Sequence, residues 1–300
     1  MSLFPLILPD FLLIAIGCLL LRANILSRDF FNGAERLVYY ILFPALLFHS
    51  LAQAPLDLSS SITLITAAAC LTLSGIALSW LMVPLFRPDP LVHASIAQCA
   101  YRYNTYIGLS LAGSLGGAEG QGLMAIIVGI TVPMVNFAAV HALSRHQGSN
   151  LLRESLRNPL ILATFAGLLF NMSGLDLPTP VATALSRLGA CAIAVGLLCV
   201  GASLTLSFEP RRGTLGIGIS TIVIRLMIMP LCALAITQVL HLPIAERQML
   251  LLFGALPTAS AAYVLATRMG GDGRLVALVM TSTTMLSAIT LPFWLSIGSP

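Results

Sequence analysis

Long apolar runs alternate with short polar breaks along the whole chain, and the breaks carry Gly and Pro, as in Arg87-Pro-Asp-Pro90. The runs are continuously apolar, whereas strands of a membrane β-barrel are segments of about ten residues with alternating polarity. An α-helix needs about 20 apolar residues to cross a bilayer. The pattern therefore predicts ten transmembrane helices, near residues 5–23, 36–53, 61–85, 91–115, 121–143, 159–175, 181–206, 214–240, 246–269 and 275–297.

The composition indicates the same class of protein. Hydrophobic residues make up 58% of the chain and charged residues 9%, whereas a soluble domain carries about 25% charged residues. We therefore expect an all-α integral membrane protein. The first apolar run has no basic residue before it, unlike a cleaved signal peptide, so we expect it to remain as a helix.

The arginines are unevenly divided between alternate loops, and the chain has no lysine. If the N-terminus is outside, the outer side holds only Arg187 and Arg247. The inner loops then hold the other loop arginines: Arg22, Arg28, Arg36, Arg87, Arg145, Arg153, Arg157, Arg211, Arg212, Arg268 and Arg274. Because positive residues accumulate in cytoplasmic loops, we expect both termini outside.

The two halves of the chain resemble each other at an offset of 154 residues, at which Pro5-Leu-Ile-Leu8 recurs as Pro159-Leu-Ile-Leu162. The offset predicts a five-helix repeat at 1–145, a cytoplasmic connecting loop at 146–158 and a second five-helix repeat at 159–300. Because five is odd, the second repeat is inverted relative to the first, as in many secondary transporters.

At the same offset Tyr103-Asn104 aligns with Pro257-Thr258. Counted at about 1.5 Å per residue from the predicted helix ends, both positions lie near the middle of a membrane core about 30 Å thick. Proline removes a backbone donor and clashes with the preceding turn. We expect helices 4 and 9 to be broken here and the two breaks to meet at the repeat interface, with half-helix N-termini that attract an anion. A plain proline kink is the alternative.

Arg102 is a permanent charge in the middle of a predicted helix, where it needs a partner or a wet cavity. Asp10 is the one acidic residue that the pattern places inside a span. A positive charge without an internal counter-ion indicates an anionic ligand, and arginine binds carboxylates through two parallel hydrogen bonds. The alternative is that Arg102 snorkels or pairs with backbone carbonyls. Arg225 is similarly deep but has no polar residues around it in sequence.

Several stretches, taken together, resemble the auxin efflux carrier family, specifically its bacterial malonate- and organic-acid-transporter-like members. The stretches are Arg102-Tyr-Asn-Thr-Tyr-Ile-Gly108, Asn158-Pro-Leu-Ile-Leu-Ala-Thr-Phe-Ala-Gly-Leu-Leu-Phe-Asn171, Ala255-Leu-Pro-Thr-Ala-Ser260, Tyr263-Val-Leu-Ala266 and Ser282-Thr-Thr-Met-Leu-Ser-Ala-Ile-Thr-Leu-Pro292. The resemblance implies a 5+5 inverted repeat in which spans 4 and 9 cross as broken helices. It also implies a scaffold of spans 1, 2, 6 and 7, a transport core of spans 3–5 and 8–10, and often a homodimer. Relatives often carry proline in span 4, whereas here Ser110 and Gly113 follow Gly108. The break in span 4 is therefore expected at Asn104 and Gly108.

We expect the substrate-binding residues to come from both breaks and from the helices beside them. They are Arg102, Asn104, Tyr106, Gly108, Asn136, Pro257, Thr258, Ser260 and Thr290. Asn136 and Thr290 share the 154-residue offset, which places them at equivalent depth. Further candidates are Arg225, Thr281, Thr284 and Asp10, and the hydroxyls near Thr281 could equally serve helix packing.

The sequence thus predicts a secondary transporter of small organic anions in the bacterial inner membrane, working by an alternating-access, elevator-like mechanism. The alternatives are a sodium-coupled symporter similar to the bile-acid carriers, an anion channel and an anion-binding sensor. Protons could couple through Asp10, sodium could bind carbonyl oxygens at the helix breaks, or the carrier could be a uniporter. The expected partners are the organic anion, the bilayer and a second copy of the chain, with no nucleic acid and no cofactor. An enzyme is not expected, since no acid–base pair or metal-ligand cluster appears.

Overall fold

The computed structural model describes residues 4–53, 58–144, 159–204 and 214–298. Within these ranges the chain is helical, with turns and no strand. The predicted connecting loop, 146–158, lies outside the described residues. The all-helical class predicted from the apolar runs is therefore confirmed for the described part of the chain.

Among the described residues, the first half contains six α-helices: α1 Phe4–Arg22, α2 Arg28–Leu37, α3 Phe43–Ala52, α4 Leu58–Phe86, α5 Pro90–Tyr101 and α6 Thr105–Ser144. The described part of the second half contains seven: α7 Pro159–Met172, α8 Thr179–Ser203, α9 Leu215–Val223, α10 Met229–Val239, α11 Ile244–Ala255, α12 Ser260–Arg268 and α13 Gly273–Gly298. One π-helical turn, Val38–Leu42, joins α2 to α3, and another, Ile224–Ile228, joins α9 to α10.

Several of these helices are long and apolar enough to span a bilayer. Five described segments meet that condition, and a sixth does so if α11 and α12 form one bent span. One of the five, Pro90–Leu143, is 54 residues long. It is divided by a non-helical step between α5 and α6 and by Gly117, whose φ of 57° and ψ of −141° interrupt α6. Glycine suits that left-handed step because it has no Cβ.

Helices α1 and α8 pack with their backbones in direct contact, because glycine occupies both sides of the pair. A Cβ at Gly17 would lie 2.0 Å from the Leu198 carbonyl oxygen, and one at Gly201 would lie 1.8 Å from the Ile14 carbonyl oxygen. Helices α3 and α7 are similarly close, since a Cβ at Gly167 would lie 2.9 Å from the Phe48 carbonyl oxygen. Small residues permit such close approach between membrane helices.

Helix α11 lies in the centre of the other helices and is buried along most of its length. It approaches α10 closely, since a Cβ at Gly254 would lie 2.8 Å from the Cβ of Ala233. The start of α6 meets α8, where Gly196 faces the Tyr106 ring, and its later part meets α7, where Gly129 faces Thr164. Helix α6 thus contacts the central helix α11 as well as α7 and α8.

Candidate functional site

The first break in the helical chain runs from Arg102 to Asn104, between α5 and α6. Arg102 is extended, with φ −82° and ψ 135°. The Asn104 side chain then begins the next helix, because its Oδ1 accepts hydrogen bonds from the backbone N–H groups of Tyr106 (3.1 Å) and Ile107 (3.2 Å). Asparagine is a preferred N-cap residue for this reason. Gly108, which the sequence placed at the break, lies inside α6.

The second break runs from Leu256 to Ala259 and bends α11 against α12 by 43°. It contains Pro257, whose missing N–H and fixed φ oppose a continuous helix. Helix α12 begins after Ala259 with no side-chain hydrogen bond to its first turn. Its N-terminal N–H groups therefore lack the side-chain cap that Asn104 gives to α6.

The two breaks contact each other directly. The Asn104 backbone N–H donates to the Pro257 carbonyl oxygen at 2.8 Å. The Thr258 hydroxyl donates to the Cys99 carbonyl oxygen at 2.9 Å. Both interactions satisfy backbone groups that the broken helices leave without intrahelical partners. Gly108 keeps the crossing tight, since a Cβ there would lie 2.8 Å from Leu256.

Arg102 is buried and is held by two neutral side-chain amides. Its Nη1 donates to Gln98 Oε1 at 3.1 Å and its Nη2 donates to Asn136 Oδ1 at 2.8 Å. Among the described residues neither of these partners is a carboxylate, so the hydrogen bonds orient the guanidinium without neutralising it. The structure thus brings Asn136, which the repeat offset singled out, to Arg102.

Asn104 contributes a further polar group at the crossing. The residue is 2% exposed, and its Nδ2 has no hydrogen-bond partner among the described residues. An unsatisfied buried amide donor costs about 1–3 kcal/mol. The Nδ2 group is therefore available to donate to a bound acceptor.

Arg225 lies on the other side of the crossing, at the C-terminal ends of the broken helices. It is fully buried. Its Nε donates to the Leu256 carbonyl oxygen at 2.6 Å, its Nη2 to Phe253 at 2.9 Å and its Nη1 to Ala100 at 3.5 Å. No local pattern indicates these partners, which lie 31, 28 and 125 residues away along the chain.

The remaining predicted residues lie at varying positions around the crossing. Ser260 is half-buried at the first position of α12, and the Tyr106 ring packs edge-on against Phe43 at 5.2 Å. On α13, Thr281 is fully buried and the Thr284 hydroxyl donates to the Met280 carbonyl oxygen.

Two further predicted residues, Thr290 and Asp10, have buried side-chain oxygens. Thr290 Oγ1 on α13 is buried and has no hydrogen-bond partner among the described residues. Asp10 lies on α1, away from the breaks, and its Oδ1 accepts a hydrogen bond from Ser110 on α6 at 2.7 Å.

A large cavity of about 1790 Å³ opens between α2, the end of α8, and helices α5, α12 and α13. Its ionisable lining residues are Arg28, Glu35, Arg87, Asp89, Asp272 and Arg274. Both aspartates cap helices, since Asp89 accepts from Leu91 N–H and Asp272 from Leu275 N–H. Burial raises the pKa of Glu35, and the nearby Arg28 opposes that shift.

The sequence analysis missed this cavity, although it had placed its three arginines together in the inner loops. Tyr263 and Thr267 of α12 line it, and Tyr263 is three residues beyond Ser260. The cavity therefore ends about one helical turn from the uncapped N-terminus of α12. None of the substrate-binding residues predicted from the sequence lines it.

In the described part of the chain, the apolar helices, the broken segments and the buried arginines indicate a helical, multi-pass membrane protein. A family model described as "Membrane transport protein" matches residues 2–150 and 143–295. The chain therefore belongs to this family of membrane transport proteins, the auxin efflux carriers, which confirms the resemblance that its motifs indicated.

Two similar proteins carry names that agree with this assignment. An uncharacterized transporter of Methanothermobacter thermautotrophicus is 28% identical over 296 residues, covering 96% of each chain. The uncharacterized transporter YfdV of Escherichia coli is 23% identical over 310 residues, covering 97% of this chain and 96% of the relative. Similarity to both extends over nearly the full length.

Proposed function

We propose that the protein is a secondary transporter that carries small organic anions such as carboxylates. The observation that carries this proposal is the cluster of unneutralised donors at the crossing of the two breaks. Arg102 holds a positive charge between neutral amides, Asn104 Nδ2 has no partner among the described residues, and α12 begins without a side-chain cap. Each of these features favours a bound anion.

A ten-span, 5+5 arrangement fits the helix geometry best. A straight helix of 54 residues would be about 80 Å long, far more than a membrane core of about 30 Å. The segment Pro90–Leu143 is therefore proposed to be two spans, a broken one and a continuous one divided at Gly117. The bent pair α11–α12, followed by Gly270 with φ 65° and then α13, repeats that order in the second half.

The packing supports alternating access. In the proposed mechanism the α1, α3, α7 and α8 group is the scaffold, and the helices around the crossing move against it. Tyr106 and Asp10 lie at the boundary, where the ring meets Gly196 and the carboxyl meets Ser110. The cavity between the two groups would be the inward-facing entrance, since its arginines are those assigned to the cytoplasmic side. A bacterial inner-membrane location with both termini outside follows from the same assignment, and a homodimer follows from the family resemblance.

The direct test is binding of a panel of mono- and dicarboxylates to the purified protein, with sodium or choline and at two pH values. At least one carboxylate should bind saturably, and the same compound should show counterflow in proteoliposomes. Saturable binding without counterflow would favour a sensor, and non-saturating current with single-channel steps would favour a channel. Absence of binding by every carboxylate would contradict the proposal.

A further inference from the structure

The guanidinium of Arg225 occupies the place where the carbonyl ends of both broken helices converge. Helix α5 contributes the carbonyl of Ala100, while Phe253 near the end of α11 and Leu256 just beyond it contribute the other two. We name these three oxygens the carbonyl cradle. Helix C-termini carry partial negative charge, and their last carbonyls have no intrahelical partner. The cradle is therefore a site for a cation, and a cation fills it.

Two neighbouring carbonyls at the breaks accept hydrogen bonds from neutral donors. Cys99 O accepts from the Thr258 hydroxyl, and Pro257 O accepts from the Asn104 N–H. The guanidinium of Arg225, which is fully buried, is therefore the charged group that contacts the cradle. Its Nε, Nη1 and Nη2 all donate to backbone carbonyl oxygens, and no acidic side chain is among these partners.

A π-helical turn places Arg225 there. The turn Ile224–Ile228 contains Arg225, and the Trp294 Nε1–H donates to the Leu226 carbonyl at 2.8 Å within the same turn. A π turn inserts a residue into an α-helix and often marks a functional site. Here it gives one buried side chain access to carbonyls from two other helices.

Carbonyl oxygens at unwound helices are also the groups with which transporters hold sodium ions. We propose that Arg225 is a tethered cation that fills the carbonyl cradle in place of a coupling sodium ion and makes this carrier independent of sodium. This inference rests on the proposed carrier function. Because like charges at hydrogen-bond distances repel strongly in a buried site, the guanidinium excludes sodium from the cradle while supplying the charge that holds the two breaks together.

The test is the thermal unfolding of the purified protein in sodium chloride and in choline chloride of equal ionic strength. The wild-type midpoint should be the same in both salts. Arg225→Ala should unfold at least about 5 °C lower, and sodium should raise its midpoint saturably, because a ligand that binds only the folded state stabilises it. Arg187→Ala, which removes an exposed arginine, is the matched control and should behave as wild type.

Arg225→Lys keeps the charge with fewer donors, so its midpoint should fall and stay insensitive to sodium. A sodium-specific rise in the wild type or in Arg225→Lys would overturn the inference, and so would a folded Arg225→Ala that does not respond to sodium. If Arg225→Ala yields no folded protein, the measurements on the wild type and on Arg225→Lys decide. The assay contains no carboxylate, so a failure of anion binding and a failure of the sodium inference are separate results.

Discussion

Arg102 and Arg225 are both buried arginines in apolar segments, yet their hydrogen-bond partners indicate different roles. Arg102 is oriented by the amides of Gln98 and Asn136, whereas Arg225 is bonded to backbone carbonyls. A side-chain amide can accept from a guanidinium without cancelling its charge. Arg102 is therefore the better candidate for contact with an anion, and Arg225 for support of the breaks.

Replacing Arg102 tests the anion site. Arg102→Gln removes a charge-assisted hydrogen bond of about 1.5–3 kcal/mol, so carboxylate affinity should fall by about 10- to 100-fold. Arg102→Lys keeps the charge but loses the planar fork, and should bind with intermediate affinity. The measurement is equilibrium binding to purified, monodisperse protein.

Arg187→Gln is the matched control, because Arg187 is exposed and its loss should leave affinity unchanged. Wild-type affinity in Arg102→Gln for every carboxylate that the parent binds would make Arg102 a structural residue. Folding should survive in this variant, because removing a buried charge also removes its desolvation cost.

At the scale of single residues, the sequence indicated polar positions but not their partners. The repeat offset aligned Tyr103-Asn104 with Pro257-Thr258, and the structure joins the two breaks through a hydrogen bond from Asn104 N–H to the Pro257 carbonyl oxygen at 2.8 Å. The offset also singled out Asn136, which contacts Arg102. The Nδ2 of Asn104 and the carbonyl partners of Arg225 depend on atoms from other helices, so no local pattern could show them.

At the scale of elements, the break between α11 and α12 depends on Pro257. In Pro257→Ala the backbone regains a donor and can continue the helix across the 43° bend. We expect normal expression but reduced carboxylate uptake, because a straighter segment would move the carbonyl at this position away from the Asn104 N–H. Uptake by proteoliposomes measures this.

Pro84→Ala is the control for that change, since Pro84 is exposed inside α4. Its uptake should match the wild type. Unchanged uptake kinetics in Pro257→Ala would reduce Pro257 to a packing kink.

The pair α1–α8 provides a second prediction at this scale. Gly201→Ala would place a Cβ 1.8 Å from the Ile14 carbonyl oxygen, and the resulting overpacking should cost about 1–3 kcal/mol. The midpoint of thermal unfolding in detergent should fall. Gly33→Ala, where a Cβ would meet nothing within 4 Å, should preserve or raise the midpoint because alanine favours helix over glycine. Equal midpoints for the two variants would mean that α1 and α8 can separate without cost.

At the scale of the whole molecule, the orientation rests on the uneven placement of arginines. A cysteine introduced by Ser149→Cys should be labelled by a membrane-impermeant reagent only from the cytoplasmic side. The native cysteines lie within the predicted spans, and the parent protein labelled in parallel gives their background. Labelling of the new cysteine from outside would reverse the topology and the proposed direction of the cavity.

The sequence by itself determined the helical membrane class and the positions of the two breaks beside Asn104 and Pro257. These follow from local requirements: a helix in lipid must be apolar, its backbone must satisfy itself, and proline or glycine interrupts it. The family assignment was equally accessible, because the motifs that carry it are short and contiguous.

Only the tertiary structure decided which groups meet at the crossing. It placed Arg225 on carbonyls of two other helices, set Arg102 between amides, and opened a cavity beside α12. The physical reason is that hydrogen bonds and cavities between helices depend on rotation and approach distance, which the apolar faces of many helices determine jointly. A continuously apolar helix gives little indication of the face that it turns inward, so its sequence leaves those contacts open.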